Sequence, residues 1–284
     1  GTMASGITEA LICSDVPTVV LGRSAVSTAR LDTAVTAGLD KAAAKGRLTA
    51  EARDGARARL RLTTDARDLA GCGHVIEAVT EELEAKRGLL ALLDAVLPSG
   101  TVLATNTSSL TVGEIRATLP ERRSLIALHF FNPARAMRLV EVAGADAAVL
   151  DAACAWVRRI GKVPVRCGDE RGFVVNRLLI PYLNDAVRAL DAGAFTAAAE
   201  ADALMREELG HPMGPFELID LIGTDVTAAA QTMLHESFGS FGGPRMRPAD
   251  GLLALVAEGR LGRKSGIGFH DHPSRSSPTG SGTT

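Results

Sequence analysis

Ser108, His129 and Glu141 form a set of side chains able to move a proton to or from an oxygen. They lie in Asn106-Thr107-Ser108-Ser109-Leu110, His129-Phe130-Phe131-Asn132-Pro133 and Leu139-Val140-Glu141-Val142. Taking a hydride from a secondary alcohol requires a base for the hydroxyl proton. A neutral imidazole is suited to this near working pH, and such a base contributes about 10²–10⁴-fold. His129 closes an apolar run, where side chains face the crevice outside the strand ends. It reads either as that base or as a core histidine bonded to backbone. Glu141 stands in an alternating apolar run, where burial of a carboxylate is costly without a partner. A hydrogen bond to the second imidazole nitrogen would offset that cost and hold the tautomer. Ser108 can donate to a ketone and accept from an alcohol. Alternatively it caps the helical segment 111–118, for which Ser109 is the nearer candidate. Asn132 precedes a proline, which biases its backbone to an extended conformation.

These residues need rigid elements behind them. Short β-branched runs at 18–21, 74–79, 102–105, 125–128 and 139–142 read as strands. Helical patterns lie between them, with 34–45 and 50–60 forming a helix pair and 82–97 carrying leucines at helical spacing. This alternation implies a mostly parallel, doubly wound α/β sheet covered by helices. After Cys167 the texture becomes helical, with Gly172-Phe173 opening a long apolar pattern. The expected organisation is a dinucleotide-binding domain over 1–169, a helical domain over 170–272 and a disordered tail over 273–284.

Gly1-Thr2-Met3-Ala4-Ser5-Gly6 reads as the back half of a glycine-rich phosphate turn leading into a helix. The first strand of the sheet is then missing from the chain, and the native product is expected to start about ten residues upstream. Where an acidic residue would hold the ribose hydroxyls, the sequence has Gly22-Arg23-Ser24. An arginine and a hydroxyl suit a 2′-phosphate, so the cofactor is NAD or NADP with a lean to NADP. Arg23 read as a solvated surface charge is the competing expectation.

Taken in order, Asn106–Leu110, 129–133 and 139–142 resemble the 3-hydroxyacyl-CoA dehydrogenase family. So do Gly172-Phe173-Val174-Val175-Asn176-Arg177-Leu178-Leu179, Gly210-His211-Pro212-Met213-Gly214-Pro215 and Gly262-Arg263-Lys264-Ser265-Gly266. The resemblance spans residues 1 to about 272. It implies a Rossmann-type domain plus an all-α domain, a His129–Glu141 pair as general base and acid, and substrate-positioning roles for Ser108, Asn132 and Asn176. It also implies cofactor contacts at Gly1, Thr2, Met3, Asn106, Ser108, Glu81, Lys86 and Lys264, alongside Arg23 and Ser24. Lys45 matches a position that meets the coenzyme A phosphate, whereas a serine of the same helix is Gly38 here, which leaves the carrier open. The resemblance implies a homodimer through the helical domain.

A net charge of −2 and pI near 6.4 give no reason to expect nucleic acid or an anionic membrane as partner. No apolar run approaches the roughly 18 residues of a membrane helix. The four cysteines, Cys13, Cys72, Cys154 and Cys167, form no metal-binding spacing, which suits reduced thiols in a cytoplasm and no metal. Three readings follow. The first is a dehydrogenase of a short-chain 3-hydroxyacyl-CoA such as 3-hydroxybutyryl-CoA. The second is a dehydrogenase of another 3-hydroxy carbonyl compound, such as a carrier-protein-bound acyl group or a sugar acid. The third is a non-catalytic relative that keeps the fold.

Overall fold

The computed structural model describes residues 1–238 and 243–273, and the chain divides into two compact units, Gly1–Phe173 and Val174 onward. The first unit runs α1 (Thr2–Ile12), β1 (Thr18–Leu21), α2 (Ala25–Ala44), α3 (Ala50–Ala58), β2 (Leu60–Thr63), β3 (His74–Glu77), α4 (Leu83–Val96) and β4 (Val102–Thr105). It continues through α5 (Val112–Arg116), β5 (Leu125–Phe130), β6 (Leu139–Ala143), α6 (Ala147–Arg159) and β7 (Val163–Arg166).

Five strands form a sheet in the order β3-β4-β5-β6-β7, while β1 and β2 pair in parallel as a separate two-stranded sheet. All pairings in the larger sheet are parallel except β5–β6. Both faces of this sheet are covered, which is why β5 reads as continuous apolar sequence and is buried along its whole length. On one face Ile7 and Leu11 of α1 and Leu150 and Val157 of α6 meet Ile126, Leu128, Val140 and Val142. On the other, Leu90 and Leu93 of α4 and Ile115 of α5 meet Leu103, Leu125 and Ala127. Each such fully buried side chain contributes about 1.5–3 kcal/mol.

Three local expectations need correction. The helix assigned to 34–45 begins at Ala25, where Ser24 and Ser27 form a reciprocal capping box. The segment 50–60 ends as a helix at Ala58, and Leu60–Thr63 becomes a strand that was not expected. Strand β7 was also unexpected. Its Pro164 is tolerated because β7 is the edge of its sheet.

The second unit contains α7 (Val175–Asp191), α8 (Ala198–Glu207), α9 (Pro215–Ile222), α10 (Thr224–Phe238) and α11 (Asp250–Ala257) around Leu183, Val187, Phe216, Ile219 and Leu252. Buried Asp202 of α8 caps α9 from outside, accepting from the N–H groups of Phe216 and Glu217 at 2.9 and 3.1 Å. The tail expected over 273–284 lies, from 274 on, outside the described residues. No described helix is long and apolar enough to cross a membrane.

Candidate active site

The antiparallel pairing of β5 and β6 places His129 directly opposite Glu141. Residues opposed in register project to the same face, so the two side chains stand side by side. His129 Nδ1 and Glu141 Oε2 lie 2.8 Å apart, with the residues 6% and 1% exposed. A hydrogen bond so deep in the protein is electrostatically stronger than one in water. The imidazole is flanked by the rings of Phe131 and Phe173, with centroids 4.5 and 5.6 Å away. Phe173 is buried and holds φ 45°, a conformation that costs a bulky residue energy and recurs at functional sites. Beside the pair, burial and the negative charge of Glu141 push the Cys167 thiol up to about 12, so it stays protonated at neutral pH.

Ser108 sits in a turn just past the carboxyl end of β4, and Glu81, just past that of β3, holds this turn. Its Oε1 accepts from Thr107 Oγ1 at 2.6 Å, the Ser108 and Ser109 N–H groups at 2.8 and 2.9 Å, and Ser109 Oγ at 2.9 Å. Burial alone would raise the Glu81 carboxyl. The Thr107 bond, the Lys86 charge and the two N–H groups outweigh it and bring the group down to about 2. Lys86, expected as a cofactor contact, is 1% exposed. Its ammonium bonds Glu77 at 3.0 and 3.1 Å and lies 3.1 Å from Glu81 Oε2. Asn106 is likewise engaged: its Oδ1 accepts from the Phe130 N–H at 2.8 Å, tying β4 to the strand that carries His129. The cap of α5 is neither Ser108 nor Ser109 but Thr111, in a capping box with Glu114.

Two further supports were not anticipated. Asp169 accepts from Val112 and Gly113 N–H at 2.6 and 2.8 Å, and Arg171 donates to the Ser109 carbonyl at 3.3 Å and pairs with Glu114. The segment leading to Phe173 is thereby fastened to the Ser108 turn. Lys162, 8% exposed, donates to the carbonyls of Ala134, Arg135 and Met137 at 2.6, 3.1 and 2.7 Å and so secures the loop after Asn132. Asn132 is exposed and joined to Pro133 by a cis bond. The signal that singles out Glu141, a carboxylate in an apolar strand, applies equally to Glu77 in His74-Val75-Ile76-Glu77 and would have found it.

At the start of the chain, Gly1 is the N-cap of α1 and no side chain caps the first turn. Thr2 is exposed, whereas the Met3 side chain packs against the core. Arg23 is exposed, and Ser24 Oγ is used by the Ser27 N–H at the start of α2. Lys45 is exposed at the C-cap of α2. The space at Gly38 is taken: a Cβ there would overlap the carboxylate of Glu9 on α1. Burial raises the Glu9 carboxyl, opposed by the charge of Arg135.

Two expected site residues belong to the second unit. Asn176 is the second residue of α7, and Lys264 bonds both oxygens of Asp225 at 2.6 Å. His270 and His272 bond buried Asp202 and Asp220 at 2.7 and 2.9 Å. Among the described residues no group of three metal-ligating side chains occurs.

Residues 1–170 match the model of the 3-hydroxyacyl-CoA dehydrogenase NAD binding domain, and residues 172–272 that of the C-terminal domain of 3-hydroxyacyl-CoA dehydrogenase. The chain is 40% identical over 275 residues to 3-hydroxyadipyl-CoA dehydrogenase of Escherichia coli. That match covers 95% of this chain but 57% of the relative, so the chain spans little more than half of that protein. It is 36% identical over 279 residues to 3-hydroxybutyryl-CoA dehydrogenase of Mycobacterium tuberculosis, covering 96% of each. A crystal structure of FadB2 from M. tuberculosis superposes with a TM-score of 0.91 at 36% identity, covering 96% of each chain.

Proposed function

The chain belongs to the 3-hydroxyacyl-CoA dehydrogenase family, and from that premise we propose that it interconverts a short-chain 3-hydroxyacyl-CoA and its 3-oxo form. The observation that carries this reading is the buried 2.8 Å bond between His129 and Glu141.

The residues present fit a nicotinamide cofactor. The first turn of α1 has no side-chain cap on its N–H groups, and helix N-termini of this kind favour a diphosphate. Gly1, Thr2 and Met3 would hold the diphosphate through their backbone. Gly22 leaves the corner after β1 free of a side chain where Thr28 closes in, and Arg23 and Ser24 follow it. That corner supports a preference for NADP, because it offers a cation to a 2′-phosphate and no carboxylate to ribose hydroxyls. When bound, the nicotinamide supplies the hydride donor or acceptor.

The protein's own residues handle the proton and the oxygen. In the oxidative direction His129 Nε2 takes the 3-hydroxyl proton, because Nδ1 is engaged by Glu141. Glu141 keeps the proton on Nδ1 and stabilises the imidazolium that forms. Ser108 accepts from the alcohol and donates to the ketone. Phe131 and Phe173 keep water from the imidazole. Asn132 and Asn176 are assigned the positioning of the carbonyl and the nicotinamide, Glu81, Lys86 and Asn106 hold the turn and strand end beside Ser108, and Lys264 is assigned a cofactor contact. Lys45 is assigned the coenzyme A phosphate.

A second reading is favoured by one observation. Glu9 fills the space at Gly38, so the helix thought to face the carrier lacks a hydroxyl and has an acid beside it. This suits a dehydrogenase of a different 3-hydroxy carbonyl substrate. The proposal includes a homodimer formed by the second unit, supported by exposed Leu178, Leu204, Leu209 and Leu253.

The test is to mix the protein with acetoacetyl-CoA and either NADH or NADPH and follow loss of absorbance at the reduced-cofactor band. Turnover supports the proposal, and faster turnover with NADPH supports the cofactor preference. Strong preference for NADH ends the NADP reading. No turnover with either cofactor favours another substrate.

A further inference from the structure

Glu77 is a buried acid of the first unit with four hydrogen bonds, and the proton chemistry makes no use of it. Its side chain is fully enclosed, at 0% exposure. Oε1 accepts from the Val79 N–H at 2.6 Å and from Lys86 at 3.0 Å, and Oε2 accepts from Thr105 Oγ1 at 2.7 Å and from Lys86 at 3.1 Å. The Lys86 ammonium therefore has little freedom, and its remaining reach goes to Glu81 Oε2. Glu81 in turn gathers five donors from Thr107, Ser108 and Ser109 on its other oxygen, the Ser108 hydroxyl being the most distant at 3.5 Å.

A chain of fixed contacts thus runs from the end of β3 to the turn after β4, at the strand ends where α/β sheets bind ligands. Two carboxylates share one ammonium, so the network keeps a net negative charge beneath the turn. Glu81 balances that charge by collecting N–H and O–H donors. A buried ion pair is poor value for stability alone, since apolar residues of similar volume often do as well. What the arrangement does provide is a single position for the turn.

We propose that Glu77 is a positioning residue for the dehydrogenase reaction: it fixes Lys86, Lys86 fixes Glu81, and Glu81 fixes the turn that presents the Ser108 hydroxyl. The inference rests on the reading that Ser108 bonds the substrate oxygen.

A mutant cycle with a structural readout tests it. Glu77→Gln leaves Lys86 with one carboxylate instead of two, and the loss of one charge-assisted contact implies about a tenfold fall in kcat. Ser108→Ala tests the underlying reading separately: unchanged kcat in that variant overturns the role of Ser108 whatever Glu77 does. If Glu77 acts through Ser108, the double variant Glu77→Gln/Ser108→Ala is within about twofold of Ser108→Ala alone. Amide exchange over 106–110 should be at least tenfold faster in Glu77→Gln, with 125–130 unchanged. Losses that multiply, or unaltered exchange in the turn, overturn the inference.

If Glu77→Gln does not fold, Glu77→Gln/Lys86→Met removes the Glu77–Lys86 link while keeping the native net charge of the network, and takes its place in the cycle. Thr105→Val keeps every charge and gives a third route. It should lower kcat about threefold and be rescued by Thr105→Ser; a folded Thr105→Val with full kcat and unaltered exchange over 106–110 overturns the inference.

Discussion

Replacing Glu81 by glutamine should cost stability in a pH-dependent way. In the native protein the carboxylate meets Thr107, Lys86, Ser108 and Ser109, and the group is drawn from an ordinary 4.5 to about 2 against the opposing effect of burial. At about 1.36 kcal/mol per pKa unit, that gap corresponds to about 3 kcal/mol. The side chain is 33% exposed, so screening reduces the expectation to about 2 kcal/mol. The sign follows from linkage. The native carboxyl is the more acidic one, so its stabilisation is complete above the unfolded value near 4.5 and is lost as pH falls through about 2. Denaturant unfolding can be followed by the single tryptophan, Trp156, which packs half-buried against the core of the first unit. Glu81→Gln should be about 2 kcal/mol less stable than the native protein at pH 7, with the gap closing between pH 4.5 and pH 2. A gap that is absent at pH 7, or that persists unchanged to pH 2, refutes the reasoning.

Other consequences are more local. His270→Ala removes one of three donors to buried Asp202 and should lower the stability of the second unit by about 1–3 kcal/mol, measured by calorimetry; an unchanged melting curve contradicts the clamp. Lys162→Met strips three carbonyls of their donor and should cost about 1–3 kcal/mol, with faster amide exchange over 134–138 as the check. Arg23→Ala should weaken NADPH about tenfold and leave NADH unchanged in equilibrium titrations; equal effects on both would remove Arg23 from the 2′-phosphate site.

Much of the first unit was legible because its strands are short apolar runs set between helices. The runs 18–21 and 102–105 are strands β1 and β4 with those bounds. What escaped was pattern diluted by other constraints. Leu60-Arg61-Leu62-Thr63 has only two apolar residues and follows a helix directly, and Val163-Pro164-Val165-Arg166 contains a residue normally excluded from strands. The start of α2 was obscured because its first turns expose Val26, Ala29 and Arg30, while Leu31 and Val35 begin the buried stripe. The reversal of strand direction at β6 leaves no mark in composition, yet it brings His129 and Glu141 into register. The networks around Glu81 and Lys162 depend on contacts between segments more than twenty residues apart, which no local pattern encodes.

In the proposed reaction the imidazole of His129, aimed by Glu141, moves the proton of the substrate hydroxyl. The most direct test of that role is His129→Gln, assayed for kcat in acetoacetyl-CoA reduction and titrated separately with the preferred reduced cofactor. The account predicts a fall in kcat of about 10²–10⁴-fold with the cofactor Kd unchanged within about twofold. A variant that keeps kcat within a few-fold, or that loses cofactor binding in proportion to activity, contradicts it.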